Sequence, residues 1–563
     1  MVIPIHRPPG GPFGMGAYAI ARRDAFEEAD AQLEQIKAQL RSREAIRMEH
    51  SALERLLQSE GVELLRRLLQ AHLDLRSWEE QEQGLRRWVV GADGVRRAHR
   101  RLTERSLMTL FGPVRVERVA YGAPGHGSLH PLDAGLNLPV ELASHGVGER
   151  VAEEAAKGSF DETVSSIERT TGAKVAKRQV EEATVRAAAD FDAFYASREA
   201  AAEPDTTGSI VVVSVDGKGV VMRPEDLRAP TRRAAARRRS KLKKRRSKGE
   251  KSSSRRMATV AAVYTIAPFA RRPEDIVGEL HGPEEVAGRA VRPRPEHKRV
   301  WASVVREPAE VIAEAFREAR RRDPAGDKEW VALVDGNATQ IELLTEAAER
   351  EGVSLTIVLD VIHVLEYLWA AAWALHPEGS AEGEAWVTER LERTLCGQAS
   401  QVAAGMRRSA TRRGLSAARR EPIDRCARYL LSHRELLRYD AALAAGFPIA
   451  TGVIEGACRH LVKDRMDLTG ARWRLRSAEA VLRLRSLRSS GDFDALLALP
   501  SRAGTAAQSR RPLRRGPNPP RGSASESEPE INAARSSEAR QVTDRPHPRG
   551  VVAKEPHPYD LSL

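Results

Sequence analysis

The most constraining feature of the sequence is a series of short apolar runs, rich in β-branched residues, between residues 208 and 360. The runs are SIVVVSVDGKGVVM, MATVAAVYTIA, KRVWASVV, EWVALVDG and VSLTIVLD, and an amphipathic segment, TQIELLTEAAEREG, separates the last two. Val, Ile and Thr favour strands because their branched side chains pack well on a pleated surface. Strands that alternate with helices predict an α/β sheet in this part of the chain.

Patterns of helical periodicity and composition divide the whole chain into eight segments. They are a flexible N-terminus (1–16), a mainly helical N-terminal region (17–109), a small strand-containing segment (110–147), a helical region (148–200), the first part of the sheet-bearing core (208–360), a helical insertion (361–446), the last part of the core (447–494) and a disordered tail (495–563). In the N-terminal region, Leu and Ile recur at three- and four-residue spacing, which fits a bundle or a dimerising coiled coil equally well.

The helical region 148–200 contains a Gly-bearing break, TTGAK, between two amphipathic runs. This pattern is typical of a DNA-binding helix-turn-helix, in which Lys174, Lys177 and Arg178 would open the second helix and contact DNA. Short turns between helices are common, however, so an ordinary helical hairpin with solvated charges is the better interpretation on this pattern alone.

The positive charge of the chain is concentrated in one stretch. The chain has 91 Lys and Arg against 78 Asp and Glu, a net charge of +13, and residues 231–256 supply the whole surplus with 14 bases and one acid. A basic run between two predicted strands indicates a disordered loop that neutralises the phosphates of a polyanion. The predicted DNA-binding residues of this loop are Arg237, Arg238, Arg239, Lys241, Lys243, Lys244, Arg245 and Arg246.

Cysteine usage and hydropathy exclude several classes of protein. Cys396, Cys426 and Cys458 lie far apart, so neither a disulfide scaffold nor a zinc knuckle is expected. No apolar stretch approaches the roughly 20 residues of a membrane span, and the first residues lack the layout of a signal peptide. These features predict a cytoplasmic protein.

Three acidic residues stand out as candidates for metal-dependent chemistry. Asp216 and Asp335 each end an apolar run and precede a Gly, and Glu455 lies on a predicted helix from Gly452 to Met466. If the two strands are neighbours, these carboxylates can share divalent cations, which prefer oxygen ligands. A tight turn is the better interpretation of any single Asp-Gly pair, and two such pairs in one sheet favour a functional site.

The motifs SVDGKGV, RRMATVAAVYT, VALVDGN, LDVIHVLEYLW and TGVIEGACRHLVKDRMDLTGARW occur in that order. Together with YGAPGHGSLHPLD and ERTTGAKVAKRQVEE, they make the chain from about Phe111 to Asp494 resemble the ISKra-type insertion-sequence transposases, a bacterial DDE group. The resemblance implies a ribonuclease-H-like catalytic core interrupted by a helical insertion, and DNA cutting and joining with two Mg²⁺ or Mn²⁺ ions. By the same resemblance, Asp216, Asp335 and Glu455 would be the catalytic, metal-binding triad.

Asp360 and His363 form a D-x-x-H pair at the boundary of a predicted strand and helix. In related DDE groups a similar pair follows the second catalytic Asp, so the resemblance implies an auxiliary role near the active site. A helix-capping Asp with a core-facing His fits the pattern equally well.

The predicted Glu455 helix and the segment after it are cationic. The residues predicted to contact DNA there are Arg459, His460, Lys463, Arg472 and Trp473, and Arg465, Arg474 and Arg476 add further charge. Arginines and lysines beside the third acid would draw phosphate to the metal ions. Trp473 would either stack on an unpaired base or belong to the core, and the core is slightly favoured.

The residues and the resemblance together predict a DNA transposase that binds double-stranded DNA at element ends and at the target, acting as a homo-oligomer. A metal-dependent nuclease without strand transfer shares the same carboxylates and is the enzymatic alternative. A DNA-binding protein derived from a transposase that has lost catalysis is the non-enzymatic alternative.

Overall fold

The computed structural model describes residues 25–82, 84–200, 206–237, 254–280, 291–468 and 470–498. These residues form a mixed α/β fold. The predicted flexible N-terminus (1–16) and the predicted tail from residue 499 onward lie outside the described residues. Within the described ranges, no helix is both long and apolar enough to cross a membrane.

Two long helices and a small antiparallel sheet form the N-terminal region. The elements are α1 (Glu27–Leu40), α2 (His50–Glu82), β1 (Val89–Val90), β2 (Arg96–Arg97), β3 (His99–Thr109), β4 (Gly112–Ala123), β5 (His126–Leu129) and α3 (Pro131–Gly135), with a 3-10 turn at Ala45–Arg47. Strands β3, β4 and β5 pair in that order, and β1 pairs with β2. Helix α2 packs on β4 over a core that includes Leu73, Val114 and Val116.

The boundary predicted at residue 110 is wrong, because strands β1, β2 and β3 lie within the segment predicted to be helical. Strand β3 reads HRRLTERSLMT and has little apolar content of its own. It pairs with β4 along its whole length, from His99 opposite Gly122 to Thr109 opposite Gly112. Pairing with the alternating strand β4 therefore decides the structure of β3.

A three-helix unit follows, formed by α4 (His145–Lys157), α5 (Phe160–Thr171) and α6 (Lys177–Ala187), with α7 (Phe191–Ala200) after it. The three helices share a core that includes Val151, Ile167 and Val180. Gly172 ends α5 with a φ of +68°, a conformation that few other residues adopt. Lys174 therefore lies in the connection between α5 and α6, whereas Lys177 and Arg178 open α6 as predicted.

The central sheet has five strands in the order β8–β7–β6–β9–β10. The elements are β6 (Ile210–Val221), a 3-10 turn at Pro224–Asp226, α8 (Ala229–Arg237), β7 (Arg255–Ile266), α9 (Pro273–Leu280), β8 (Glu296–Ser303), α10 (Pro308–Arg322), β9 (Glu329–Val334), α11 (Ala338–Glu351) and β10 (Leu355–Leu359). Strands β6, β7 and β8 pair antiparallel, whereas β9 pairs parallel to both β6 and β10. The predicted sheet is confirmed.

Both ends of the basic run belong to regular elements instead of a loop. Residues 231–237 lie in α8, and Arg255 and Arg256 begin β7. The predicted DNA contacts from Arg238 to Arg246 fall in residues 238–253, outside the described residues.

The segment predicted as a helical insertion is helical throughout. It comprises α12 (Val361–Ala372), α13 (Ala381–Leu395), α14 (Ala399–Arg412), α15 (Ala417–Ser432), a 3-10 turn at Arg434–Leu436 and α16 (Tyr439–Ala444). Its apolar residues join the core on one side of the sheet. The Tyr429 hydroxyl donates to the Asp335 carbonyl at 2.9 Å, and the Tyr439 hydroxyl donates to the Leu359 carbonyl at 2.8 Å. These bonds attach the insertion to the ends of β9 and β10.

The last described elements return to the sheet. They are α17 (Gly452–Ala457), a π-helical turn (Cys458–Lys463), α18 (Asp464–Met466), α19 (Leu475–Ser490) and α20 (Phe493–Leu497). The helix predicted from Gly452 to Met466 is thus confirmed, with a π-turn in its middle. Helix α20 extends into the segment from residue 495 that was predicted to be disordered.

Helices cover both faces of the sheet. Side chains of β7 alternate between the two faces, so that Val263 packs with Phe316 of α10, and Val260 packs in a second core with Leu482 of α19. This alternation follows from the two-residue period of a strand. The sheet is therefore a middle layer with helices on both faces.

A buried ion-pair network supports the helix α10. Glu318 accepts from Arg299 at 2.9 Å and from Arg322 at 2.7 Å, and all three side chains are almost fully buried. Burial acts to raise the pKa of Glu318, but the neighbouring guanidinium groups outweigh burial and lower this pKa to about 2. Glu318 is therefore ionised, and it balances cations that have little access to water.

We expect Glu318→Gln to lower the free energy of unfolding by about 3–5 kcal/mol, because it leaves buried arginines without a counter-charge. Urea denaturation measures this change. Glu421→Gln is the control, since Glu421 pairs with Arg425 on an exposed helix surface and should lose less than about 1 kcal/mol. Equal losses in the two variants would contradict the assigned role of the buried network.

Candidate active site

Three aspartates occupy one row across three adjacent strands, β6, β9 and β10. The last registered pairs place Ser214 of β6 opposite Leu333 of β9, and Leu359 of β10 opposite Val334 of β9. When the same register is extended by one or two residues, Asp216 and Asp360 both lie opposite Asp335. Neighbouring strands lie about 4.8 Å apart, and residues in register on parallel strands share a face. The sheet itself therefore gathers three acidic residues.

Asp216 differs from its predicted position at the end of a strand. Strand β6 continues to Val221, and Asp216 pairs with Val260 of the antiparallel neighbour β7. Only the parallel pairing with β9 stops before Asp216. One carboxylate oxygen of Asp216 accepts from the Gly217 amide, and the other accepts from the Cys458 thiol at 3.1 Å.

Asp335 follows the end of β9, as predicted. Its Oδ1 accepts from the Asn337 amide at 2.9 Å, and the Asn337 side chain caps helix α11. Gly336 between them has a φ of +92°, and a Cβ on it would meet Tyr429 and His433 at 3.2 Å. Only a glycine therefore lets α15 of the insertion approach the loop that carries Asp335.

Asp360 is fully buried, and both of its carboxylate oxygens are engaged. Oδ1 accepts from the amides of Ile362 at 3.2 Å and Thr451 at 3.1 Å. Oδ2 accepts from the Thr451 hydroxyl at 2.7 Å and contacts His363 Nδ1 at 2.8 Å. Asp360 thus caps α12, as one of the two interpretations predicted, and it also binds the residue before α17.

His363 faces the site and not the core, contrary to the core-facing interpretation. Its side chain keeps about a third of its exposure. The hydrogen bond to Asp360 raises the pKa of His363 to about 9 against the opposing effect of burial, and the carboxylates of Asp360, Glu366 and Asp335 add to the rise. The ring is therefore protonated at neutral pH and places a positive charge among the acids.

Glu455 projects from α17 toward this cationic ring. Single ligand atoms of Asp360, His363 and Glu455 lie within 4.8 Å of one another, and this is the one group of three potential metal ligands among the described residues. Partial burial raises the pKa of the Glu455 carboxyl, and the Asp360 carboxylate raises it further, while His363 and the Thr451 hydroxyl act in the opposite direction.

The chemistry of these donors decides which of them suit a divalent cation. The Nδ1 atom of His363 is already bonded to Asp360, so only Nε2 could bind a cation, in competition with a proton. Each oxygen of Asp360 has two partners in the protein, whereas each oxygen of Asp216 has one. Asp216, Asp335 and Glu455 offer carboxylate oxygens, the ligands that Mg²⁺ prefers. In the described residues these three carboxylates do not form a compact group of the kind that Asp360, His363 and Glu455 form.

Thr451 and Cys458 are functional candidates that the sequence interpretation missed. From the sequence, Cys458 is only one of three separated cysteines, and Thr451 belongs to no motif with an assigned role. The signal was nevertheless present, because these residues lie four before and three after Glu455, the spacings that share a helix face.

Most of the predicted DNA-binding cations are exposed, although several already have acidic partners. Arg459, His460, Lys463 and Arg472 are exposed, and so are Lys174, Lys177 and Arg178. Arg459 and His460 both approach Asp464, while Lys177 pairs with Asp161 and Arg178 pairs with Glu182. Of Arg237, the structure places only the backbone, at the end of α8.

Trp473 belongs to the core, which confirms the slightly favoured interpretation, and its assignment as a DNA contact is wrong. It is 5% exposed, and its Nε1 donates to the Met466 carbonyl at 3.0 Å. Its ring meets Phe160 edge to face and lies against the buried Arg465. Trp473 therefore joins the segment after α18 to the three-helix unit.

Comparison of the chain with known protein families finds no matching family, and comparison with curated proteins finds no matching relative.

We expect Trp473→Ala to lower the free energy of unfolding by about 3–5 kcal/mol, because it empties a packed site. Urea denaturation measures this loss, and DNA affinity measured on the folded variant should stay unchanged. Its exposed neighbour supplies the comparison: Arg472→Ala should leave stability within about 0.5 kcal/mol. Weaker DNA binding by folded Trp473→Ala would restore the stacking interpretation.

The raised pKa of His363 predicts a pH-dependent stability. The protonated ring stabilises the fold fully below the unfolded pKa of about 6.5, and this contribution is lost as the pH rises through about 9. The contribution is at most about 3 kcal/mol, and nearer 1–2 kcal/mol after screening by solvent. The difference in unfolding free energy between wild type and His363→Gln should therefore shrink from pH 6 to pH 10. His50→Gln, at an exposed site on α2, should show no such change.

Proposed function

We propose that this protein is a DNA transposase of an insertion sequence, similar to the ISKra-type group, which cleaves element ends and joins the 3′ hydroxyl to target DNA. The observation that carries the proposal is the row of sheet aspartates, together with Glu455 on a helix that follows a long helical insertion and brings it close to Asp360. Phosphoryl transfer needs carboxylates grouped in this way.

The strand order of the central sheet supports a ribonuclease-H-like core. Three antiparallel strands are followed by two strands parallel to the first of them, and this first strand lies at the centre of the sheet. The chain then leaves the sheet for about 80 residues of helix before it returns with Glu455. The resemblance implied this arrangement of core, insertion and final acid.

The carboxylates of Asp216, Asp335 and Glu455 fit a divalent cation by the chemistry of their oxygens, and they would hold two Mg²⁺ or Mn²⁺ ions. When bound, such ions stabilise the charge on the attacking and leaving oxygens of a phosphodiester. The protonated His363 offsets part of the negative charge of the carboxylates.

Cationic side chains near the site are suited to hold DNA. Arg459, Lys463 and Arg472 are exposed in the segment that follows Glu455. Contacts of this kind bind the phosphate backbone irrespective of sequence and weaken steeply with salt. Helix α6, which Lys177 and Arg178 open, is a second candidate surface for double-stranded DNA. We also propose that the protein acts as a homo-oligomer, because both ends of an element must be joined.

We expect Asp216→Asn to reduce cleavage of DNA carrying the element's ends by about 1000-fold or more, a loss of about 4 kcal/mol of transition-state stabilisation. DNA binding should persist, because the exposed cations are unchanged. Cleavage in MgCl₂ and filter binding measure the two properties. Asp327→Asn is the matched control. Asp327 is exposed and precedes β9, at the end of that strand opposite to Asp335.

The same assay separates the proposal from its alternatives. A transposase yields joined products with target DNA, whereas a nuclease yields cut ends only. Binding without nicking in any divalent metal would instead identify an inactive DNA-binding protein. Cleavage that persists in Asp216→Asn would overturn the assignment of the carboxylates.

A further inference from the structure

Glu455 lies between two residues that attach its helix to the sheet. The Glu455 amide donates to the Thr451 carbonyl at 3.0 Å, so a helical turn joins these residues. Cys458 begins the π-turn three residues after Glu455 with a helical backbone. Thr451, Glu455 and Cys458 therefore share one helix face at spacings of four and three residues. The two flanking residues are buried, whereas Glu455 is exposed.

The first attachment joins Thr451 to Asp360. The Thr451 amide donates to Asp360 Oδ1 at 3.1 Å, and its hydroxyl donates to Asp360 Oδ2 at 2.7 Å. A backbone bond from Val361 to the Ile449 carbonyl, 3.0 Å long, supports the same junction. Two bonds from one residue to one carboxylate fix both position and orientation. The N-terminal end of α17 is thereby held at the end of β10.

The second attachment joins Cys458 to Asp216. The thiol donates to Asp216 Oδ2 at 3.1 Å, and the cysteine is almost fully buried. The thiol is the donor of this hydrogen bond, so it orients the Asp216 carboxylate. The C-terminal end of α17 is thereby held at β6, two strands away from the first attachment.

We propose that Thr451 and Cys458 are positioning residues, whose hydrogen bonds to Asp360 and Asp216 fix Glu455 over the row of sheet aspartates for shared binding of a divalent cation. The inference rests on the proposed function for the identity of the metal-binding carboxylates. It adds that Asp360 serves the site by holding Thr451 and not as a ligand. It also gives the buried thiol a role in orienting Asp216.

The expected magnitude follows from the behaviour of groups that orient metal ligands. Loss of such a group typically costs 10–100-fold in metal affinity. Glu455 has three rotatable side-chain bonds, so a looser backbone adds to the entropy lost when it binds a cation. A conservative replacement that keeps the donor should retain most of the affinity.

The test is a titration of the full-length chain with MnCl₂, with free Mn²⁺ followed by electron paramagnetic resonance. Cys458→Ala should weaken Mn²⁺ binding by 10–100-fold, whereas Cys458→Ser should stay within about threefold of wild type. Cys426→Ala is the matched control, since Cys426 is a buried thiol of α15 within the apolar core. It should bind Mn²⁺ like wild type even where it loses stability.

A second pair of variants keeps the test decisive if Cys458→Ala does not fold. Thr451→Val removes one donor at nearly constant volume and should also weaken Mn²⁺ binding about 10-fold, whereas Thr451→Ser should restore it. The inference is overturned if wild type binds no Mn²⁺. It is also overturned if the serine variants bind as weakly as their apolar counterparts, or if Cys458→Ala matches Cys426→Ala.

DNA cleavage by the same preparations distinguishes failure of this inference from failure of the proposed function. If Cys458→Ala weakens Mn²⁺ binding but the wild-type protein leaves DNA intact, the proposed function alone is contradicted. Wild type that cleaves DNA, with unchanged Mn²⁺ affinity in Cys458→Ala and Thr451→Val, would contradict the positioning role alone.

Discussion

The parallel pairing of β6, β9 and β10 is the constraint on which the candidate site depends. Backbone hydrogen bonds set the register, and the register brings Asp216, Asp335 and Asp360 to one level although 144 residues separate the first from the last. A slip of one residue would turn an aspartate to the opposite face. The apolar core on both faces of the sheet opposes such a slip, so packing far from the acids maintains their alignment.

Local patterns predicted the elements that bury apolar side chains. The strands β6 to β10, the helical insertion and the helix of Glu455 were all recognised from periodicity, because each carries its own apolar pattern. The same patterns failed for β3, whose partner strand and not its own composition determines its conformation. The run of residues 209–222 was correctly predicted as one strand, but Asp216 was wrongly placed at a strand end, because pairing with β7 continues through Gly217 and Gly219.

The composition of the site could be predicted only in part, because hydrogen bonds between distant residues are not visible in a single sequence. Asp360 and Thr451 are 91 residues apart, and Cys458 and Asp216 are 242 residues apart. For Trp473 the sequence left stacking on DNA and a place in the core both open, and its contacts with Phe160 and Met222 decide for the core. Asp360 caps a helix, as one interpretation predicted, and His363 lies beside the carboxylates, as the other predicted.

The helical insertion has a consequence for the order in which the molecule is completed. The entropic cost of closing a loop rises by only about 0.6 kcal/mol for each doubling of its length. The insertion can therefore vary in size without displacing Glu455. The acid nevertheless emerges from the ribosome only after the three-helix unit, the sheet and the insertion. A chain still being synthesised therefore has Lys177 and Arg178 of α6 first, and it gains Glu455 and the cations that follow it last.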